Sequence, residues 1–148
     1  MANTKVLRDV LEKIWFQKLL HDQSSYEIQY GCGTYRCVAG WIYHLNNGKG
    51  HPRKFSEKFL NISNVEGELL FSIFSTSHLQ ELVLKALEEG RRLPDDSCSF
   101  VLGWEHKIEE YNYYSSDWCL RVKSIKSLET LKKFLGIENG KHFKYTKY

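Results

Sequence analysis

Apolar residues recur at helical spacing over residues 4–21: Val6, Leu7, Val10, Leu11, Ile14 and Leu19 are separated by charges. That period predicts a helix with one buried stripe. Asp22-Gln23-Ser24-Ser25 interrupts it. Tyr26, Ile28 and Tyr30 then alternate with Glu27 and Gln29, the period of a half-buried strand. Thr34 is placed to cap a short helix over 35–45, closed by Asn46-Asn47-Gly48. A loop over 48–54, with Pro52, precedes a short helix over 55–59. Ser63-Asn64-Val65-Glu66 reads as a capping box opening a helix over 65–74. A second box from Ser77 to Gln80 opens a helix through Leu79, Leu82, Val83, Ala86 and Leu87 that Gly90 ends.

The last third changes character. Residues 98–104 fit strand or helix, and 111–116 read as a loop or edge rich in rings. Residues 118–123 alternate like a strand, 127–135 read as a helix stopped by Gly136, and Asn139-Gly140 turns into a final strand with Phe143 and Tyr145. The expected fold class is α+β, helix-rich in the first two thirds. A small, mostly antiparallel sheet is expected to join the strand near residue 28 to the C-terminal strands. Residues 91–97, with Pro94, are the only stretch resembling a linker. It is too short to divide the chain, so a single domain over 1–148 is expected.

Composition narrows the class. With 148 residues, 42% of them apolar, the chain can bury a core and does not read as disordered. Aromatic residues make up 14%, more than the core positions of one domain absorb, so some rings are expected at the surface. A net charge of +3 is too mild for a binder of long nucleic acid, yet it favours a small polyanion. The N-terminal residues lack a signal-peptide core and no apolar run has transmembrane length. A cytoplasmic protein with no membrane partner is therefore expected, with Cys32, Cys37, Cys98 and Cys119 reduced.

The densest chemistry lies in Cys32-Gly33-Thr34-Tyr35-Arg36-Cys37-Val38-Ala39-Gly40-Trp41. Glycines in a turn that feeds a helix leave backbone N–H groups positively polarised, a setting that holds anions. Arg36 in the first turn can reach an anion bidentately. A cation there opposes the helix dipole, so an acidic partner is expected beside it, either a ligand or a carboxylate of the same fold. The competing reading is a tight packing corner.

Other groupings are weaker. Cys32 and Cys37 with His44, Cys98 or Cys119 have zinc-ligating atoms but lack a CxxC pair, and a buried, inert Cys37 beside Trp41 is the simpler reading. Cys32 near a helix start suits a thiolate nucleophile, without a histidine fixed beside it. Trp104, Tyr111, Tyr113, Tyr114 and Trp118 lie among His106, Lys107, Arg121 and Lys123, the residue types that stack a base and neutralise a phosphate; a wet aromatic rim or dimer interface needs the same types. Glu88-Glu89, Asp95-Asp96 and Glu109-Glu110 read as solvated pairs, weak as general acids and bases. No Walker loop, dinucleotide fingerprint, HExxH or nucleophile elbow occurs.

The run Cys-Gly-Thr-x-x-Cys-x-Ala-Gly-Trp, here residues 32–41, resembles a motif of small uncharacterised phage and prophage proteins, in which a segment like Phe59-Leu60-Asn61-Ile62-Ser63 and a helix containing Leu70-Phe71 follow. The resemblance covers roughly residues 28–75 and implies a phage-type origin. Small phage proteins often act as binders or inhibitors, including those that sequester nucleotide second messengers of bacterial immunity. By analogy with that class, and with the residue types of this chain, the expected function is non-catalytic sequestration of a small nucleotide-like anion as an anti-defence device, without a cofactor, in a homodimer or higher homo-oligomer in the host cytosol. Gly33, Thr34, Tyr35 and Arg36 would meet phosphates, Arg121 would add charge, and Trp41, Trp104 or Trp118 would stack on a base. The alternatives are a protein-binding inhibitor of a host factor and a phosphodiesterase-like enzyme.

Overall fold

The helices begin where a side chain takes up their first free amides. Asn3 Oδ1 accepts from Val6 N at 3.5 Å, opening α1 (Thr4–Trp15). His51 Nδ1 accepts from Arg53 N at 3.2 Å and Pro52 fills the first position of α3 (Pro52–Leu60). At α4 (Asn64–Phe71) the expected capping box is formed: Ser63 Oγ accepts from Glu66 N at 3.1 Å, and Glu66 Oε1 accepts from Ser63 N at 2.8 Å. Thr76, one residue earlier than expected, caps α5 (Ser77–Glu88) through Leu79 N. Between α1 and α3 lie β1 (Ile28–Tyr30), β2 (Gly33–Tyr35) and α2 (Val38–Leu45). After α5 come β3 (Phe100–Trp104), β4 (Trp118–Val122), α6 (Ile125–Leu135) and β5 (Phe143–Lys144). This computed structural model describes residues 1–31, 33–73, 75–95, 100–104, 118–122, 125–137 and 143–144.

The fold is α+β and helix-rich, as the residue pattern indicates, but three local expectations need correction. The first helix stops at Trp15 instead of 21, because Gln17 takes a left-handed φ of 58° and Lys18 N bonds back to Lys13 O. The chain then runs beside residue 36, where Arg36 N bonds Leu20 O at 3.1 Å and Asp22 N bonds Arg36 O at 3.1 Å. The second correction concerns α2, which starts at Val38 with Cys37 as its cap; Thr34 sits in β2 and is not the cap of α2. Third, among the described residues two sheets form in place of one. β1 pairs antiparallel with β2 in a hairpin, and β3, β4 and β5 make a second sheet with β3–β4 antiparallel and β4–β5 parallel. Among the described residues β1 is hydrogen-bonded to β2 alone, and β3, β4 and β5 to one another.

The apolar stripes of the helices meet in one cluster. Leu7 and Leu11 of α1, Ile42 of α2, Leu69 of α4, Leu79 of α5 and Leu131 of α6 are all fully buried in it. A carboxylate is buried at its margin: Glu66 binds Arg92 Nε at 3.0 Å and Leu93 N at 2.9 Å, tying α4 to the segment after α5. No helix among the described residues is long and apolar enough to cross a membrane.

Candidate functional site

The motif of residues 32–41 folds into a corner whose residue types are accounted for by packing. Cys32 itself lies outside the described residues. Gly33 has φ 145°, and a Cβ there would stand 2.6 Å from Leu20 Cδ1. Cys37 is buried, its Sγ accepts from Gly40 N at 3.4 Å, and burial pushes its thiol pKa up. Ala39 is covered by α3, whose Ser56 hydroxyl donates to Ala39 O at 3.0 Å. Gly40 faces the backbone of Tyr26 so closely that a Cβ would come within 2.1 Å of its carbonyl oxygen. Trp41 Nε1 donates to Leu20 O at 2.8 Å. The amides of Arg36 and Cys37 are used as well, by Leu20 O and Ser25 O. This corner thus presents the amides of residues 36, 37 and 40 to its own chain.

Arg36 has a second aspect. Its residue is only 7% exposed. Its guanidinium lies 4.7 Å from the centroid of Trp41, and Nη2 donates to Glu27 Oε1 at 2.6 Å. Stacking on an indole face in a desolvated place is worth about 1–2 kcal/mol, and the carboxylate supplies the counter-charge a buried cation needs. Glu27 is an acidic partner of the same chain beside Arg36, although Arg36 lies two residues before α2 and not in its first turn, where the sequence expected it. Its side chain remains 59% exposed.

Arg36 and Glu27 lie on the wall of a cleft of about 330 Å³, between the β1–β2 region and the facing ends of α2 and α3. Tyr26, Tyr43, His44 and Asn47 line the rest with Gly48 and Pro52. The rings are braced from behind: Tyr26 edge-on to His51 at 5.2 Å, His44 edge-on to Trp41 at 5.9 Å, Tyr43 edge-on to Phe55 at 5.6 Å. The cleft therefore offers an arginine held by an exposed carboxylate, together with fixed aromatic edges.

Of the residues expected at a site, Arg36 alone lines this cleft, while Trp41 supports it from beneath and is 8% exposed. Gly33, Thr34 and Tyr35 form β2, paired with Tyr30, Gln29 and Ile28. Trp104 and Trp118 are register partners across β3 and β4, and Arg121 pairs with Val101 and Lys144. Tyr111, Tyr113, Tyr114, His106, Lys107 and Lys123 lie outside the described residues, as does Cys98. Tyr26, Glu27 and Tyr43 were not singled out by the sequence as site residues, and His44 was considered only as a zinc ligand. For Tyr43 and His44 the signal lay in α2, where positions 40, 43 and 44 follow helical spacing on one side.

A second hollow of about 460 Å³ is lined by Ile14, Trp15, His21, Ser77, His78 and Glu81. Gln23 fixes its histidine. The Gln23 amide nitrogen donates to Leu70 O at 3.0 Å and Ser72 O at 2.9 Å, so Gln23 Oε1 must accept from His21 Nε2 at 2.7 Å. The neutral His21 thus carries its proton on Nε2. Burial lowers its pKa, outweighing the Gln23 bond and Asp22. Among the described residues, no three His, Cys, Asp or Glu side chains are grouped to hold a metal ion. No family model, no curated protein and no solved structure matches this chain.

Proposed function

We propose that the protein binds and holds a small nucleotide-like anion in the Arg36 cleft without converting it. The observation that carries this reading is the state of Arg36: a guanidinium stacked on Trp41 at a cleft wall, countered there by a side chain that is 59% exposed. Guanidinium forks match carboxylate and phosphate alike. The surrounding rings of Tyr26, Tyr43 and His44 suit a planar base. A volume of about 330 Å³ is at the low end for small-molecule sites, which favours one nucleotide unit over a dinucleotide enclosed whole. Kinship with phage proteins, sequestration of an immune signal in a bacterial cytosol and enclosure by a second copy of the chain belong to the same proposal.

The test is a thermal-shift series with mononucleotides, cyclic dinucleotides and ADP-ribose derivatives. A ligand at a hundred times its Kd adds about 2.7 kcal/mol, which for a domain of this size raises Tm by roughly 5–10 °C. Denaturing the loaded protein should return the ligand unchanged, whereas a phosphodiesterase would return product. Absence of any shift across the series overturns the reading.

Exposed hydrophobic side chains favour a second reading, an inhibitor that docks on a host protein. Phe16 is 73% exposed and Phe59, stacked on Phe55, also reaches the surface. Phe16→Ser and Phe59→Ser should then abolish capture of one stoichiometric partner while leaving Tm within about 2 °C.

A further inference from the structure

We infer that Glu27 is a stand-in for the ligand: its carboxylate occupies the place on Arg36 that an incoming phosphoryl group takes, and it swings into solvent when that group arrives. This rests on the binding proposed above and adds how the site is kept closed and what class of group opens it.

Three observations on the same pair carry it. The two partners are unequally held, with the Arg36 side chain 9% exposed and that of Glu27 59%. Arg36 is fixed by its stack on Trp41 and by a backbone bonded on both sides, to Leu20 and Asp22. Glu27 precedes the first residue of β1 and has room in solvent for other rotamers. The contact is therefore a hydrogen-bonded ion pair with one fixed and one free member, at the wall of the cleft instead of within the core.

The exchange is balanced chemically. One charge-assisted N–H···O bond from Nη2 to a carboxylate oxygen is replaced by one to a phosphoryl oxygen. The freed carboxylate is rehydrated, at the modest cost that separates exposed ion pairs from solvated charges. A neutral ligand has nothing to offer Arg36 in return, so the carboxylate stays and the cleft rejects it. Glu27 thus selects for charge as well as keeping a buried cation neutralised in the empty protein.

Glu27→Gln tests this. Glutamine keeps an acceptor for Nη2 and leaves the fold, but removes the competing charge. Isothermal titration of the intact chain with 5′-AMP should show the variant binding roughly two- to fivefold tighter than the unaltered protein. Adenosine, which lacks the phosphate, should bind neither. Glu129→Gln on α6, where the side chain is 66% exposed, removes the same charge elsewhere and should leave the affinity unchanged. If the unaltered protein binds 5′-AMP and Glu27→Gln binds it equally or more weakly, the stand-in is overturned while the binding site stands. Equal tightening by Glu129→Gln also overturns it, because net charge alone would then be responsible. If neither the unaltered protein nor Glu27→Gln binds 5′-AMP or inorganic pyrophosphate, both inferences fall together.

Discussion

Gly40 shows how one residue can be fixed by a neighbour far away in sequence. The carbonyl of Tyr26 passes where its Cβ would be, at 2.1 Å, and backbone cannot move aside as a side-chain tip can. Gly40→Ala must push α2 from the β1 approach, at a cost of about 3 kcal/mol. Thermal unfolding should show Tm lower by roughly 6–12 °C; a change under 1 °C would mean that the approach is looser. The neighbouring Cys37 gives a chemical counterpart. Its thiol is buried and its pKa raised by that burial, so little thiolate forms near neutral pH. Peptide-level mass spectrometry after iodoacetamide should find Cys37 modified at least about tenfold more slowly in the native protein than in urea. The motif was conspicuous in the sequence because each of these residues is the type its place demands. The sequence offered both a packing corner and a ligand turn and could not choose between them: a glycine required by an approaching carbonyl and one required by an approaching phosphate are written identically.

At the scale of elements, α4 is tied at both ends to other parts of the chain. Its start depends on Glu66, wholly buried and bonded to Ser63 N, Arg92 and Leu93 N. Glu66→Ala leaves two amides without an acceptor and removes the carboxylate from Arg92, which keeps Asn61 O, and should cost about 3 kcal/mol, read as a lower midpoint in urea with an unchanged slope. The end of α4 depends on Gln23 and, through it, on His21. Because burial lowers the His21 pKa, the folded chain binds its proton less readily than the unfolded chain. Stability from this group is therefore complete above the unfolded value of about 6.5. It falls as pH drops from there through the lower folded value. Denaturation midpoints between pH 8 and pH 5 should decline, and His21→Gln should flatten that decline; parallel slopes for both proteins would rule the histidine out. The capping box at 63–66 and the helix over 127–135, observed as Ile125–Leu135, were legible because caps and apolar periods are local signals. The β1–β2 hairpin was not, since Gly33-Thr34-Tyr35 carries glycine and a cap-like threonine, which read as a turn, and its strand identity comes from pairing with residues 28–30.

On the scale of the molecule, one core joins what the chain separates. Leu11 lies in α1 and Leu131 in α6, yet both are fully buried in the same apolar cluster. The cleft has no such unity in sequence: Tyr26 and Glu27 precede the hairpin, Arg36 follows it, Tyr43 and His44 lie in the last turn of α2, and Asn47 lies just beyond it. Only the packing of α2 on the chain at Tyr26 and on α3 assembles them, so the site was readable at Arg36 and nowhere else. A shared core implies that its ends should fail together. Leu11→Ala and Leu131→Ala each remove a fully buried side chain and should each cost about 2–5 kcal/mol. If the cluster is one cooperative unit, each change lowers a single transition by roughly 4–20 °C, seen alike by far-ultraviolet circular dichroism and by tryptophan fluorescence. A Leu131→Ala protein that melts in two steps, with one step at the original temperature, would show that α6 and the sheet it adjoins unfold apart from α1–α5. The same comparison bears on the cleft, because its walls are built on α2 and α3, whose Ile42 and Leu60 lie in that cluster. Cooperative loss of the core should therefore take ligand affinity with it, at the same midpoint.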